Sequence, residues 1–248
     1  MIVLDIARIE LRRMFQLPLA WVILAAVQFL LAIFFYVLLS RYLEATQLTA
    51  GRGLTEIVVG GTLQIGGIVM LLVSPFLTMR LFSEEQRSGT LDLLLSSPVS
   101  LVELVLGKFL GVLMFLCVML AMVSLMPLSL LAGTSLDMGQ IVTGFLGLGL
   151  LMAAFAAVGL FMSTLTEQPA VAAVASFAAL FVLWIIHIAG HAGSERMAAL
   201  FAYLSLLRHF DGLLSGFFST VDVAYFLLLI ATFLALAVWR LDSVRTWR

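Results

Sequence analysis

Six apolar runs of membrane length alternate along the chain with shorter polar stretches. They fall near Pro18–Leu39, Ile57–Met79, Leu101–Leu125, Ile141–Leu165, Ala170–Ile188 and Val223–Trp239. At 1.5 Å per residue each is long enough to cross roughly 30 Å of hydrocarbon. The pattern predicts an all-α membrane protein: six transmembrane helices in a single transmembrane domain over residues 1–248. Three stretches interrupt it, at residues 1–16, 80–100 and 189–222.

Residues 1–16 are too charged to span. On a helix Asp5, Arg8 and Arg12 fall at i, i+3 and i+7, with Ile2, Ile6 and Ile9 on a neighbouring stripe. This predicts an N-terminal amphipathic helix in the interface plane, with a disordered basic tail as the alternative. Acidic residues beside the arginines and the lack of a small-residue cleavage site argue against a removed signal peptide. In residues 189–222, Met197, Leu200, Phe201, Leu204, Leu207 and Leu214 alternate with Arg208, His209 and Asp211. That pattern predicts short helices partly sunk in the outer leaflet, broken at Gly212 and Gly216.

The densest charge lies between the second and third runs, where Arg80, Glu84, Glu85, Arg87 and Asp92 share one short segment. Hydrocarbon would not tolerate them. Ser83 with Gln86 three residues later reads as a capping-box helix start, and Gly89-Thr90 as a stop and a second start. In the second helix Leu91, Leu94 and Leu95 share an apolar face, and Asp92 sits near its positive N-terminal end. Pro98 closes the segment, because the residue before a proline is pushed out of helical conformation. The prediction is a helix-turn-helix on the membrane surface whose apolar face requires a partner.

Orientation follows from the basic residues beside the spans. Arg8, Arg12, Arg13, Arg80, Arg87, Lys108, Arg240, Arg245 and Arg248 fall on one side, and Arg41, Arg52, Arg196 and Arg208 on the other, which accounts for all 13 Lys and Arg. The richer side is expected in the cytoplasm, with both termini.

Composition agrees: 63% hydrophobic, 11% charged and a mean hydropathy of +1.20 place the chain outside the soluble globular range. A net charge of -1 without a basic patch gives no case for nucleic acid. The lone Cys117 offers no disulfide and reads as inert packing within an apolar run. Lys108, about two turns into the third run, is expected to snorkel to the interface rather than mark an ion path. The glycines Gly60, Gly61, Gly66 and Gly67, and the small residues Gly144, Gly147, Gly149, Ala153, Ala156, Ala157 and Gly159, should face other helices or a dimer seam.

Chemistry is sparse. No Gly-x-x-x-x-Gly-Lys-[Ser/Thr] loop occurs, since Gly107-Lys108 is followed by Phe109. His187 and His191 at i, i+4, with His209 as a third candidate, have the spacing to share a metal, but interfacial hydrogen bonding is the favoured reading. Met119, Met122 and Met126 read as core packing over a soft-metal path. Neither a Gly-x-Ser-x-Gly elbow nor a His-Glu-x-x-His motif supports an intramembrane hydrolase.

The run from Met79 to Ser100, with Leu106-Gly107-Lys108-Phe109 after it, resembles the coupling segment of type-two ABC exporter permeases. It is most similar to the six-helix gliding-motility type, with the nitrous-oxide-reductase maturation permease as a relative. Leu146-Gly147-Leu148, Gly159 to Glu167, Ser205 to Asp211 and Asp222 to Leu227 extend the likeness, although Gln168-Pro169 departs from the Asn-Gln expected after the glutamate. The resemblance implies a permease subunit in the bacterial inner membrane. A second copy or paralogue, a dimer of ABC ATPase subunits and in some systems a periplasmic auxiliary subunit would accompany it. ATP and magnesium would sit on the ATPase, with no cofactor or metal on this chain and no catalytic residue. Contact with the ATPase would fall on Glu84, Glu85, Arg87, Gly89, Thr90, Leu91, Asp92, Leu94, Leu95 and Pro98. The alternative is the same scaffold as a mechanical transmitter, driving a periplasmic partner without transporting anything. An intramembrane enzyme using the histidines is a third reading.

Overall fold

The computed structural model describes residues 2–44, 53–91, 99–131, 133–134, 136–190 and 203–246, the backbone alone at 187–190 and 246. Among these residues every regular element is helical. The helices are α1 (Ile2–Gln16), α2 (Pro18–Glu44), α3 (Gly61–Thr78), α4 (Ser83–Ser88), α5 (Leu101–Leu130), α6 (Met138–Ser163), α7 (Pro169–Gly190), α8 (Leu206–Leu214) and α9 (Thr220–Thr246). A π-helical turn, Thr55–Gly60, leads into α3. Six helices are long and apolar enough to cross a membrane, as the hydropathy pattern predicts. Three run at least five residues past the expected end, α2 to Glu44, α5 through Pro127 to Leu130 and α9 to Thr246.

The bundle is organised around α6, which packs against α3, α5, α7, α8 and α9. Its small residues explain this position. Gly144 receives Leu63, Gly147 receives Leu213, and Gly159 receives Thr78. Without a hydrophobic drive between helices in lipid, close backbone approach and dense packing hold such a core. The small-residue face of the fourth run is therefore buried inside the bundle.

Two expectations, on Cys117 and Gly212, are corrected. Helix α1 buries Ala7, Glu10 and Met14 against the bundle, while Ile2 and Ile9 stay exposed. It lies along α5, where a Cβ on Gly107 would come 2.7 Å from Ile6 and one on Gly111 would come 2.7 Å from Glu10. This glycine pair, one turn apart, makes the groove that a helical wheel of α1 alone does not reveal. Cys117 is exposed on the outside of the bundle rather than packed within it. Gly212 does not break α8, which continues to Leu214 and stops near Gly216 at φ 88°. One face of α8 packs into the bundle: Leu206, His209, Phe210 and Leu213 are buried, Arg208 and Asp211 are exposed, and Phe210 fits between Gly67 of α3 and Gly147 of α6.

At that end His209 Nδ1 lies 2.6 Å from Asp222 Oδ1 of α9, and its Nε2 lies 2.9 Å from the Tyr203 carbonyl. Tyr225 stacks on the imidazole at 4.1 Å and donates its hydroxyl to the Leu204 carbonyl. His209 thus makes the hydrogen bonds favoured over metal ligation. His187 beyond its backbone and His191 lie outside the described residues.

Candidate functional site

Pro75 lies inside α3, which ends in a tight turn where Met79 N–H bonds the Pro75 carbonyl and Leu81 N–H the Thr78 carbonyl. The chain then starts α4 at Ser83. The capping box expected between Ser83 and Gln86 does not form. Ser83 instead donates its hydroxyl back to the Met79 carbonyl, and the Gln86 amide donates to the Thr164 carbonyl at the end of α6, at 2.9 Å. A serine that follows a helical turn finds a free carbonyl four residues back and prefers it. The capping box of this region is at Ser100 and Glu103, where extended backbone at Ser100 opens α5. Glu103 N–H donates to the Ser100 hydroxyl at 3.2 Å, and Ser100 N–H to the Glu103 carboxylate at 3.0 Å. Gly89 closes α4 as read from the sequence, at φ 71°, a left-handed conformation that side chains resist.

The charges of α4 are tied into the bundle. Arg13 of α1 holds Glu84 at 2.9 Å and approaches Glu85 at 3.9 Å. Glu85 turns inward, with Oε1 2.5 Å from Lys108 Nζ on α5. The same ammonium donates to the Leu81 carbonyl at 2.7 Å, lies 3.5 Å from Glu10 of α1, and sits over the Phe82 ring. Five ionisable side chains from three helices thus form one cluster, Lys108 only 2% exposed at its centre. Snorkelling of Lys108 is corrected accordingly. With a carbonyl and two carboxylates inside the protein, the ammonium ends there instead of at a membrane surface, since a buried charge persists only when paired.

The expected contact residues therefore differ in what they present. Arg87, Gly89 and Thr90 are exposed, Glu84 is partly so and held by Arg13, and Glu85 is nearly buried. Leu91 packs into the hydrophobic core at 3% exposure. Asp92, Leu94, Leu95 and Pro98 lie outside the described residues. Sequence reasoning missed Glu10 and Arg13 as members of the cluster. The one local signal was a pair of charges at i, i+3 on an otherwise amphipathic helix, and their partners lie 71 to 98 residues away. Of the three methionines, Met119 is buried and Met122 and Met126 pack against the core.

A bundle of six membrane-length helices, carrying a charged knuckle fastened to an N-terminal helix, defines the class as a multi-pass helical membrane protein. A family model described as ABC-2 family transporter protein matches residues 4–244, nearly the whole chain, and the chain belongs to that family. It is thus a membrane subunit of an ABC-type transporter. A comparison with curated proteins gave no match.

Proposed function

We propose that this chain is the permease of an ATP-driven exporter of the gliding-motility type, related to the nitrous-oxide-reductase maturation permease. Two copies, or one with a paralogue, form the membrane core, and ATP and magnesium are bound by a separate pair of ABC subunits. Those subunits dock on the exposed Arg87, Gly89 and Thr90 together with the Leu94-Leu95 face, on the cytoplasmic side of the inner membrane. The excess of Lys and Arg on that side supports the orientation and puts both termini there.

The observation that carries this reading is the pairing of Glu84 and Glu85 on α4 with Arg13 on α1 and Lys108 on α5. A partner that displaces α4 would drag the N-terminal helix and the third span with it, and α3 is joined to α4 by a four-residue turn. Closure of the ATPase pair would then rotate spans as rigid bodies, a switch needing only differential binding to two arrangements. Replacing Leu94 with Asp should abolish co-purification of the ATPase subunit while membrane insertion persists. Unaltered co-purification would overturn the proposal.

A further inference from the structure

The wedge that α8 drives into the bundle is fastened through one imidazole whose two nitrogens both face acceptors. His209 is 5% exposed; its Nδ1 lies 2.6 Å from Asp222 Oδ1 at the start of α9, and its Nε2 lies 2.9 Å from the Tyr203 carbonyl ahead of α8. A backbone carbonyl never donates, so Nε2 carries a hydrogen. A second hydrogen lies between Nδ1 and the carboxylate, because two facing lone pairs at that separation would repel. A neutral imidazole beside an ionised Asp222 supplies only one of the two. The pair therefore holds one proton more than a neutral histidine next to a carboxylate. Tyr225 stacks on the imidazole with its plane 22° from parallel, an arrangement that favours a cation. Of the elements packed on α8, α3 and α6 bring no ionisable side chain, and α9 brings Asp222 and Tyr225. Tyr203 meets the imidazole edge-on, and Arg208 and Asp211 of α8 itself point outward. Helix α7 carries His187, which the test below removes.

We propose that the extra proton is a latch that holds α8 in the bundle. With it, the imidazolium ties the start of α9 to the segment leading into α8. Without it, the one remaining N–H stays with the carboxylate, the stronger acceptor, and a lone pair is turned on the Tyr203 carbonyl. The segment ahead of α8 then loosens, and with it the seat of Phe210 between Gly67 and Gly147. Tyr225, donating to the Leu204 carbonyl at 2.6 Å, keeps that segment attached, so α8 loosens without unfolding. Water reaches the pair through Asp222, whose side chain is 17% exposed. Because the fastened arrangement binds the proton and the loosened one releases it, the latch is complete in acid and weakens as the pH rises. This end of the bundle thus responds to the pH of the compartment it faces.

The test uses the full chain in detergent, as wild type and as H187Q/H191Q, which leaves His209 as its single histidine. Nitrogen-15 spectra of that ring should show both nitrogens protonated in acid and a single N–H as the pH is raised. Over the same series the hydrogen-exchange protection of the α8 amides, corrected for the intrinsic effect of pH, should fall about tenfold, the size of one lost buried hydrogen bond. It should do so in both chains, with α5 unaffected. Asp222→Asn turns an amide donor toward a neutral Nδ1, so its α8 protection should not change with pH. The ring spectra need no change at Asp222 and decide the matter if that variant misfolds. Any of four results overturns the proposal: a singly protonated ring in acid with α8 protected, protection independent of pH in the wild type, a pH response lost in H187Q/H191Q, or a wild-type response in Asp222→Asn.

Discussion

Lys108 Nζ and Glu85 Oε1 lie 2.5 Å apart, joining the third span to the short helix α4. Both groups are largely withdrawn from solvent, with side-chain exposures of 3% and 12%. A charge in that position is tolerated because its counter-charge is present, so loss of one partner strands the other. Replacing Lys108 with Met should destabilise the chain by about 3–5 kcal/mol. The double replacement Lys108→Met with Glu85→Leu should recover much of that loss. Thermal unfolding in detergent of the two single variants and the double one measures the coupling, and strictly additive losses would refute it.

The outer pair of the same cluster behaves differently. Arg13 and Glu84 are 40% and 43% exposed, so water screens them. Replacing Arg13 with Ala should change stability by less than about 1 kcal/mol, and the difference should shrink in high salt. A melting series across ionic strength reads this directly.

The seating of α1 depends on the glycine pair of α5. A side chain at position 111 would collide with Glu10 Cβ at 2.7 Å and with the Ala7 carbonyl at 3.0 Å, and the carbonyl belongs to backbone that cannot rotate aside. Gly111→Leu should therefore lift α1 from α5 at about 1–3 kcal/mol of overpacking strain. Trypsin should then cut faster at Arg12 and Arg13, with the spans intact. Unchanged cleavage would mean that α1 has another seat.

On the opposite end, Asp222 holds the buried imidazole of His209. Asp222→Ala leaves a buried nitrogen without its partner and should destabilise by about 1–3 kcal/mol. Asp222→Asn, which keeps an oxygen in reach, should lose less. The order of melting temperatures, wild type above Asn above Ala, checks the role. Gly212→Ala should fall below wild type too, because its Cβ would lie 2.9 Å from Asp222 Oδ2.

Opening of the third span by a capping box gives a smaller effect. Ser100→Ala removes the acceptor for Glu103 N–H and should weaken the start of α5 by about 1 kcal/mol. Faster amide exchange in the first turn of α5, with the rest of that helix unaffected, is the expected signature.

The chain's periodicity and composition alone determined the six spans, the charged knuckle with its stop at Gly89 and the small-residue face of α6. Each of these is local: an apolar run long enough to cross hydrocarbon, a residue free to adopt positive φ, a row of side chains too small to hold helices apart. Tertiary structure alone decided which charges meet. Glu10, Arg13, Glu85 and Lys108 are scattered over almost a hundred positions, and nothing in the spacing of any one helix points to the others. It also decided that Leu91 and α8 turn inward and that Ser83 bonds backward, because an amphipathic face or a hydroxyl is satisfied equally well by several partners. The physical reason is the same in each case: hydrophobicity and backbone preference act within a turn or two of helix, whereas pairing of buried charge and close approach at glycine depend on which helix lies alongside.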